Sequence, residues 1–291
     1  MNSPLQIAQL TVFLGKNKIK NPIVKTLILA IIGGFFVGAG ALVSLICSYR
    51  YVGGYAQFYS GLVFPIGIMA VYCAGAELFT GNCLLIIPFL SKHITCIDML
   101  LNWLIVFIGN FIGGILISLL VVYGHIPNMF DVNMAQLFYN TGIEKCSIDF
   151  GEALIKGLLC NFFNCLAIWV SLGGRDLRSV ILGLWTPIFL FVACGLEHCV
   201  ANMFYIPSAL FTCYEYGVDS SKLNWGRLFY KNLIPVTLGH IVGGSGLVGV
   251  IYWYIYLIQE EPEIKCEKPK NPENSHIDLH NESKTVNSFI Q

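Results

Sequence analysis

Two polar frames inside apolar stretches hold the residues of this chain best placed to do chemistry. Gly75–Asn82 and Gly195–Asn202 both read Gly-x-Glu-x-x-x-small-Asn. A charge such as Glu77 or Glu197 at bilayer depth costs about 2.5 to 3.5 kcal/mol, and a glycine inside a helix costs about 1 kcal/mol relative to alanine. Because this unfavourable pattern occurs twice, it indicates a functional site.

Each frame offers a side chain that could contact a solute. An imidazole titrates near neutral pH, so His198 can give a hydrogen bond or a proton to an anion without carrying a permanent charge. Thr80 supplies a hydroxyl donor in the other frame. A carboxylate in the path would repel anions. Glu77 and Glu197 are therefore expected to hold the frames in place by accepting backbone N–H bonds.

The composition is that of a polytopic membrane protein. Hydrophobic residues make up 56% of the chain and charged residues 12%, and the mean hydropathy is +0.69. The formal net charge is zero, so nothing supports nucleic acid binding. The eleven cysteines lie mostly in apolar runs without a repeated Cys-x-x-Cys spacing, which favours reduced thiols acting as small hydrophobic residues.

The apolar stretches predict an all-α protein with six transmembrane spans. They lie at 23–46, 57–90, 98–123, 152–173, 178–213 and 232–258. The second and fifth are longer than the roughly 20 residues that one span needs, and both contain a polar frame. We therefore expect these two spans to be broken midway into two half-helices.

The remaining segments are expected to lie outside the bilayer. Residues 1–20 form an N-terminal segment, 124–151 a polar connection, and 259–291 a tail rich in Glu, Lys, Pro, Asn and Ser that is typical of disorder. The distribution of lysine and arginine between the loops favours a multi-pass protein of the plasma membrane with both termini in the cytoplasm.

A second pair of strings extends the repeat to the third and sixth spans. Asn102 followed by Gly109–Gly114 recurs as Asn232 followed by Gly239–Gly244. The glycine spacing of both strings permits close helix contacts.

The six-span domain, 21–258, thus divides into repeat halves of about 21–123 and 152–258. Three spans are an odd number, so the halves enter the membrane from opposite sides and form an inverted repeat, an architecture of transporters. Inversion places the two breaks face to face. The free N–H groups and positive ends of their half-helices attract anions.

Three strings carry a resemblance to a known family: Glu77–Asn82, Gly195–Phe204 and Lys231–Gly239 resemble the formate/nitrite transporter family. The resemblance implies a homopentamer of aquaporin-like protomers, each with a pore for small monovalent anions of weak acids. The string Glu197–Pro207 looks closest to the formate channels. Formate with proton-linked passage past a central histidine is therefore expected, and nitrite, lactate and hydrosulfide are the alternatives.

The same resemblance implies roles for individual residues. The solute path would contain His198, Thr80, Asn161, Asn164 and Lys145; the constrictions would contain Phe64, Ile68, Phe79 and Phe191; and the breaks would be supported by Glu77, Glu197, Asn82, Asn202 and Gly81. Lys145 either draws anions into a vestibule or is an ordinary solvated lysine.

Two positions depart from the family pattern. Asn164 stands where an apolar constriction residue is expected, and His240 replaces the asparagine that normally follows Gly239. An amide at the constriction is expected to lower the dehydration barrier for a polar anion. His240 either makes the pore more polar or is a hydrogen-bonded packing residue.

Two other classes of protein remain open. An aquaporin-like facilitator of neutral solutes would need Asn-Pro-Ala, but Cys83 follows Asn82 and Met203 follows Asn202. A membrane-embedded metalloenzyme could use Glu197–Cys199. Adjacent helical side chains point about 100° apart and rarely converge on one metal, so we expect no enzyme activity, no cofactor and no metal.

Overall fold

The computed structural model describes residues 1–49, 51, 54–128, 134–217 and 221–258, and within these ranges the regular structure is helical, without strands. The tail predicted at 259–291 lies outside the described residues. The helices are α1 (Pro4–Ile19), α2 (Ile23–Ser48), α3 (Gly54–Cys73), α4 (Phe79–Leu90), α5 (Cys96–Tyr123), α6 (Met134–Ser147), α7 (Phe150–Leu172), α8 (Leu177–Ala193), α9 (Cys199–Tyr216) and α10 (Trp225–Tyr256).

The six predicted spans are confirmed. Helices α2, α3, α5, α7 and α10 are each long and apolar enough to cross a membrane, and α4 and α8 are shorter apolar helices. The second span is α3 followed by α4, and the fifth is α8 followed by α9. The described part of the chain is therefore all-α, with the helices of a multi-pass membrane protein.

The first break lies where it was predicted. Helix α3 ends at Cys73 and α4 begins at Phe79, so the non-helical segment is close to the middle of the predicted 57–90 stretch. Its position is fixed by the glycine of the polar frame.

Both breaks begin with the same helix-ending turn. Gly75 and Gly195 have φ angles of +75° and +65°, a left-handed conformation that glycine adopts without a Cβ clash. The following residues, Ala76 and Leu196, donate their N–H groups back to Val71 and Phe191 at 2.8 and 3.0 Å, the hydrogen bond of a Schellman motif. Each break is thus encoded locally by its glycine.

Glycines bring the outer spans of each half into backbone contact. A Cβ on Gly113 of α5 would collide with the carbonyl oxygen of Ile31 on α2, and a Cβ on Gly243 of α10 would collide with that of Leu158 on α7. The first and third spans of both halves therefore pack in the same way, as the repeat predicts.

The N-terminal segment and the 124–151 connection, both predicted to lie outside the bilayer, contain helices. In α1, Ser3 and Gln6 form a capping box, and Gly15 packs against Pro88 at the end of α4. In α6, which forms half of the 124–151 connection, Phe138 is fully buried. Both segments are thus docked onto the helical domain.

We predict that Gly243→Ala destabilises the protein and that Gly246→Ala, three residues along the same helix, does not. The first change forces a methyl group against a backbone carbonyl, and overpacking of this kind costs about 1–3 kcal/mol. The second meets no atom within 4 Å. Thermal unfolding in detergent measures both. Equal melting temperatures for the two variants would show that α7 and α10 can separate without penalty.

Candidate functional site

Each break is held by a lysine, a glutamate and two asparagines. In the first half, Lys18 Nζ donates to Glu77 Oε2 at 2.7 Å and to Asn82 Oδ1 at 2.9 Å. Asn82 Nδ2 donates to Glu77 Oε2 at 2.7 Å and to Asn102 Oδ1 at 2.9 Å. These four side chains connect α1, the break, α4 and α5.

The second half repeats the arrangement. Lys145 Nζ donates to Glu197 Oε1 at 2.6 Å, and Asn202 Nδ2 donates to Glu197 Oε2 at 2.8 Å and to Asn232 Oδ1 at 2.7 Å. Burial lowers the pKa of Lys145, but Glu197, Tyr205 and Glu144 together raise it by more, so the pKa stands above its ordinary value. Lys145 is a charged partner of the break and not a solvated surface lysine, since its side chain is only 17% exposed.

The partners of the glutamates differ from the sequence prediction. Glu77 and Glu197 were expected to accept backbone N–H bonds, but their side chains accept bonds from lysine and asparagine side chains. The reason is electrostatic: an ionised carboxylate buried beside a lysine gains more from that charge than from a neutral amide.

Other side chains cap the half-helices. Asn110 Oδ1 accepts the N–H of Phe79 at 2.9 Å, and at the equivalent place in the second half His240 Nε2 accepts the N–H of Cys199 at 3.4 Å. His198 itself is the N-cap of α9, and its Nδ1 accepts the N–H of Ala201 at 3.2 Å. His240 therefore replaces asparagine in the family pattern as an N–H acceptor.

The two breaks meet at the centre of the protein. Thr80 Oγ1 lies 3.4 Å from His198 Nε2 and accepts a hydrogen bond from Asn164 Nδ2 at 3.1 Å. Asn164 Nδ2 also donates to Asn161 Oδ1 at 3.2 Å. Four residues predicted for the solute path thus form one buried group, and the positive ends of α4 and α9 converge on it.

Aromatic rings pack against one side of this group. Phe191 stacks on His198 with centroids 5.8 Å apart, and Phe64 contacts Phe191 at 5.9 Å and His198 at 6.2 Å. Of the other predicted constriction residues, Ile68 is fully buried. Phe79 is not part of this aromatic group: its ring contacts Trp103 and Phe107 at 6.3 and 5.3 Å.

Two cavities approach the centre from different elements. The Lys145 cavity, of about 210 Å³, reaches Phe64, Phe191 and His198. The Lys18 cavity, of about 420 Å³, reaches Glu77, Tyr72 and Gly81. Because His198 contacts Thr80 and Gly81 follows Thr80 in the chain, the central group lies between the ends of the two cavities.

Three contributors to the site were missed in the sequence. Lys18 could have been found from the repeat, because it precedes Glu77 by 59 residues and Lys145 precedes Glu197 by a similar 52 residues. Asn110 stood within the repeated glycine string. Tyr72 had no signal: only the structure brings its hydroxyl against Gly81, where a Cβ would collide with it.

A metal site finds no support. In the part of the chain that the structure describes, no group of three or more His, Cys, Asp or Glu side chains could hold a metal ion.

Comparisons with known proteins identify the family of this chain. The sequence profile of the formate/nitrite transporter family matches residues 5–254. The uncharacterized transporter YrhG of Bacillus subtilis is 35% identical over 87% of this chain and 93% of its own length. The formate channel FocA of Escherichia coli K12 is 36% identical over 83% of this chain and 90% of its own length. A solved pentameric formate channel with formate bound superimposes with a TM-score of 0.74 at 30% identity, covering 81% of this chain and 98% of that one.

We predict that His240→Asn assembles normally and that His240→Leu is less stable. Asparagine can accept the Cys199 N–H as Asn110 accepts that of Phe79, whereas leucine leaves this buried donor without a partner, at about 1–3 kcal/mol. Thermal unfolding of both variants in the same detergent measures the difference. A leucine variant as stable as the asparagine variant would mean that the Cys199 N–H does not depend on His240.

Proposed function

Because the chain belongs to the formate/nitrite transporter family, we propose that it is a homopentameric channel for small monovalent anions of weak acids, formate above all. Members of this family are channels and transporters and not enzymes, which sets the metalloenzyme reading aside. The observation that carries the proposal is the meeting of Thr80 and His198 between the two cavities.

The charges support an anion as the solute. The Lys18 cavity contains one lysine and the Lys145 cavity contains two, Lys145 and Lys156, and each of the three is paired with a glutamate. At the centre the positive ends of two helices converge, and these partial charges attract an anion more weakly than an unpaired cation would. The path thus offers paired charges at its mouths and a weak attraction for an anion in the middle.

The aromatic group supports selection by dehydration. Phe64 and Phe191 are 3% and 1% exposed and line the Lys145 cavity beside His198. A hydrated ion that passes these rings must lose water, since they offer no hydrogen-bond acceptor or donor. The first polar side chains it meets are His198 and Thr80, which replace part of its hydration shell.

The geometry of His198 supports proton-linked passage. Its Nδ1 accepts the Ala201 N–H, so the neutral ring carries its proton on Nε2, directed at Thr80. A titratable donor at this position can assist an anion to cross together with a proton. The pentamer and the formate substrate are taken from the solved relative, which is a pentameric formate channel with formate bound.

The orientation completes the proposal. The lysine and arginine distribution supports a plasma-membrane protein with both termini in the cytoplasm. Helix α1 packs against α4 and carries Lys18, so we place the Lys18 cavity on the cytoplasmic side and the Lys145 cavity on the opposite side.

The test is uptake into proteoliposomes. The purified full chain is reconstituted, and entry of formate, nitrite, lactate and hydrosulfide is compared at several pH values, with protein-free liposomes as the control. Formate is expected to enter fastest, and faster at acid pH. Faster entry of another of these anions would replace formate as the proposed substrate but leave the proposal of an anion channel intact. Glycerol or water flux without anion flux would instead support an aquaporin-like facilitator.

We predict that His198→Asn assembles but loses the pH dependence of formate entry. Asparagine is among the best N-cap residues, so it can take over the Ala201 N–H, yet it does not titrate. Entry at acid pH should fall roughly ten-fold, the equivalent of about 1.4 kcal/mol. Size-exclusion chromatography verifies assembly. Unchanged pH dependence in an assembled variant would remove His198 from the mechanism.

A further inference from the structure

A directed chain of hydrogen bonds fixes the orientation of the Asn164 amide. The backbone carbonyl of His240 can only accept, and Asn161 Nδ2 donates to it at 2.8 Å. Asn161 must therefore present its Oδ1 to Asn164, whose Nδ2 donates to it at 3.2 Å and to Thr80 Oγ1 at 3.1 Å. Both amide hydrogens of Asn164 are thus engaged by the protein itself.

The remaining polar atom of Asn164 is an acceptor without a partner. The residue is fully buried, and its Oδ1 makes no hydrogen bond within the described part of the chain. A buried carbonyl left unpaired costs about 1–3 kcal/mol, so such an atom calls for a ligand or a functional reason. What Asn164 offers a solute is therefore a carbonyl oxygen and no N–H.

Thr80 offers the complementary donor. With His198 Nδ1 accepting from Ala201, the proton on Nε2 points to Thr80 Oγ1 at 3.4 Å. Thr80 Oγ1 thus accepts from both His198 and Asn164. Its own hydroxyl hydrogen has no acceptor among the described residues and is available to a solute.

We infer that Asn164 is a specificity-determining residue that selects the protonated acid over the anion at the centre of the pore. A carboxylic acid has one acceptor and one donor: its C=O accepts from the Thr80 hydroxyl, and its O–H donates to Asn164 Oδ1. A carboxylate has no hydrogen to donate, and its charge meets the negative end of the amide dipole. This inference rests on the proposed function.

In the proposed passage, the only bond that forms and breaks is the O–H bond of the acid. A proton joins the carboxylate in one cavity, stays on the acid while it passes Thr80 and Asn164, and leaves with it into the water of the other cavity. Among the described residues, the titratable side chains at this group are His198 at Thr80, His240 against the His198 ring, Cys165, whose Sγ lies 3.5 Å from the Thr80 carbonyl oxygen, and Cys83 beside Asn161.

The role differs from the one expected from sequence. An amide at this position was expected to ease the dehydration of a polar anion, which requires a free N–H. The structure engages both N–H groups, so the same residue opposes the anion.

The test compares Asn164→Val with Asn164→Thr, two side chains of nearly equal shape that differ in one acceptor oxygen. Full-length protein in proteoliposomes takes up labelled formate while an internal pH dye reports protons. The native protein and the threonine variant should bring in one proton with each formate. The valine variant should lose at least half of the proton coupling, and an inside-positive potassium diffusion potential should accelerate its uptake.

Equal coupling in the valine and threonine variants would overturn the role of Asn164 while leaving the channel function intact. Absence of uptake of formate, nitrite, lactate and hydrosulfide by the native protein would overturn the proposed function and the inference with it. Size-exclusion profiles are compared first. Should the valine variant fail to assemble, Asn164→Ala and Asn164→Ser provide the same contrast between a methyl and a hydroxymethyl group.

Discussion

The need to satisfy backbone N–H groups inside a membrane governs this structure. Lipid offers no hydrogen-bond partners, so non-helical backbone at this depth is stable only when protein side chains or a water-filled cavity supply them. The breaks after Gly75 and Gly195 free such groups twice. Asn110 and His240 accept the first N–H of the two half-helices that follow. Without these acceptors each break would leave a buried N–H group without a partner, at about 1–3 kcal/mol.

The inverted repeat satisfies the free N–H groups in a similar way in both halves. The side chains that could act on a solute lie at positions where the two halves differ. The positions equivalent to Leu78 and Thr80 in the first break are His198 and Val200 in the second. Each break therefore contributes one polar side chain to the centre, and the two positions are offset along the frame. A strictly symmetric pair of breaks would place two histidines or two threonines there instead of a hydroxyl against an imidazole.

The parts of the fold that depend on local sequence could be predicted, and those that depend on long-range pairing could not. The frames located both breaks, because a glycine with positive φ ends a helix whatever surrounds it. The ion pair between Lys18 and Glu77 joins residues 59 apart and arises only when α1 docks. The partners of Glu197 were predicted wrongly for the same reason: which donor a buried carboxylate finds is set by helix packing. The free atom of Asn164 depends on a chain of bonds that ends at a backbone carbonyl, which has no signature in sequence.

The matching charge clusters at the two breaks have a consequence for the direction of flow. On the proposed path, a solute from either side meets the same lysine, glutamate and asparagine pair before it reaches the centre. The Lys145 cavity is also lined by Lys156 and Glu144, whose charges have opposite signs, so the electrostatic profile would be similar from both sides and the protein would have little means to rectify the flux. Net movement would follow the gradient of solute and protons alone, and the same molecule would serve for export when the interior is rich in the acid and for import when it is poor.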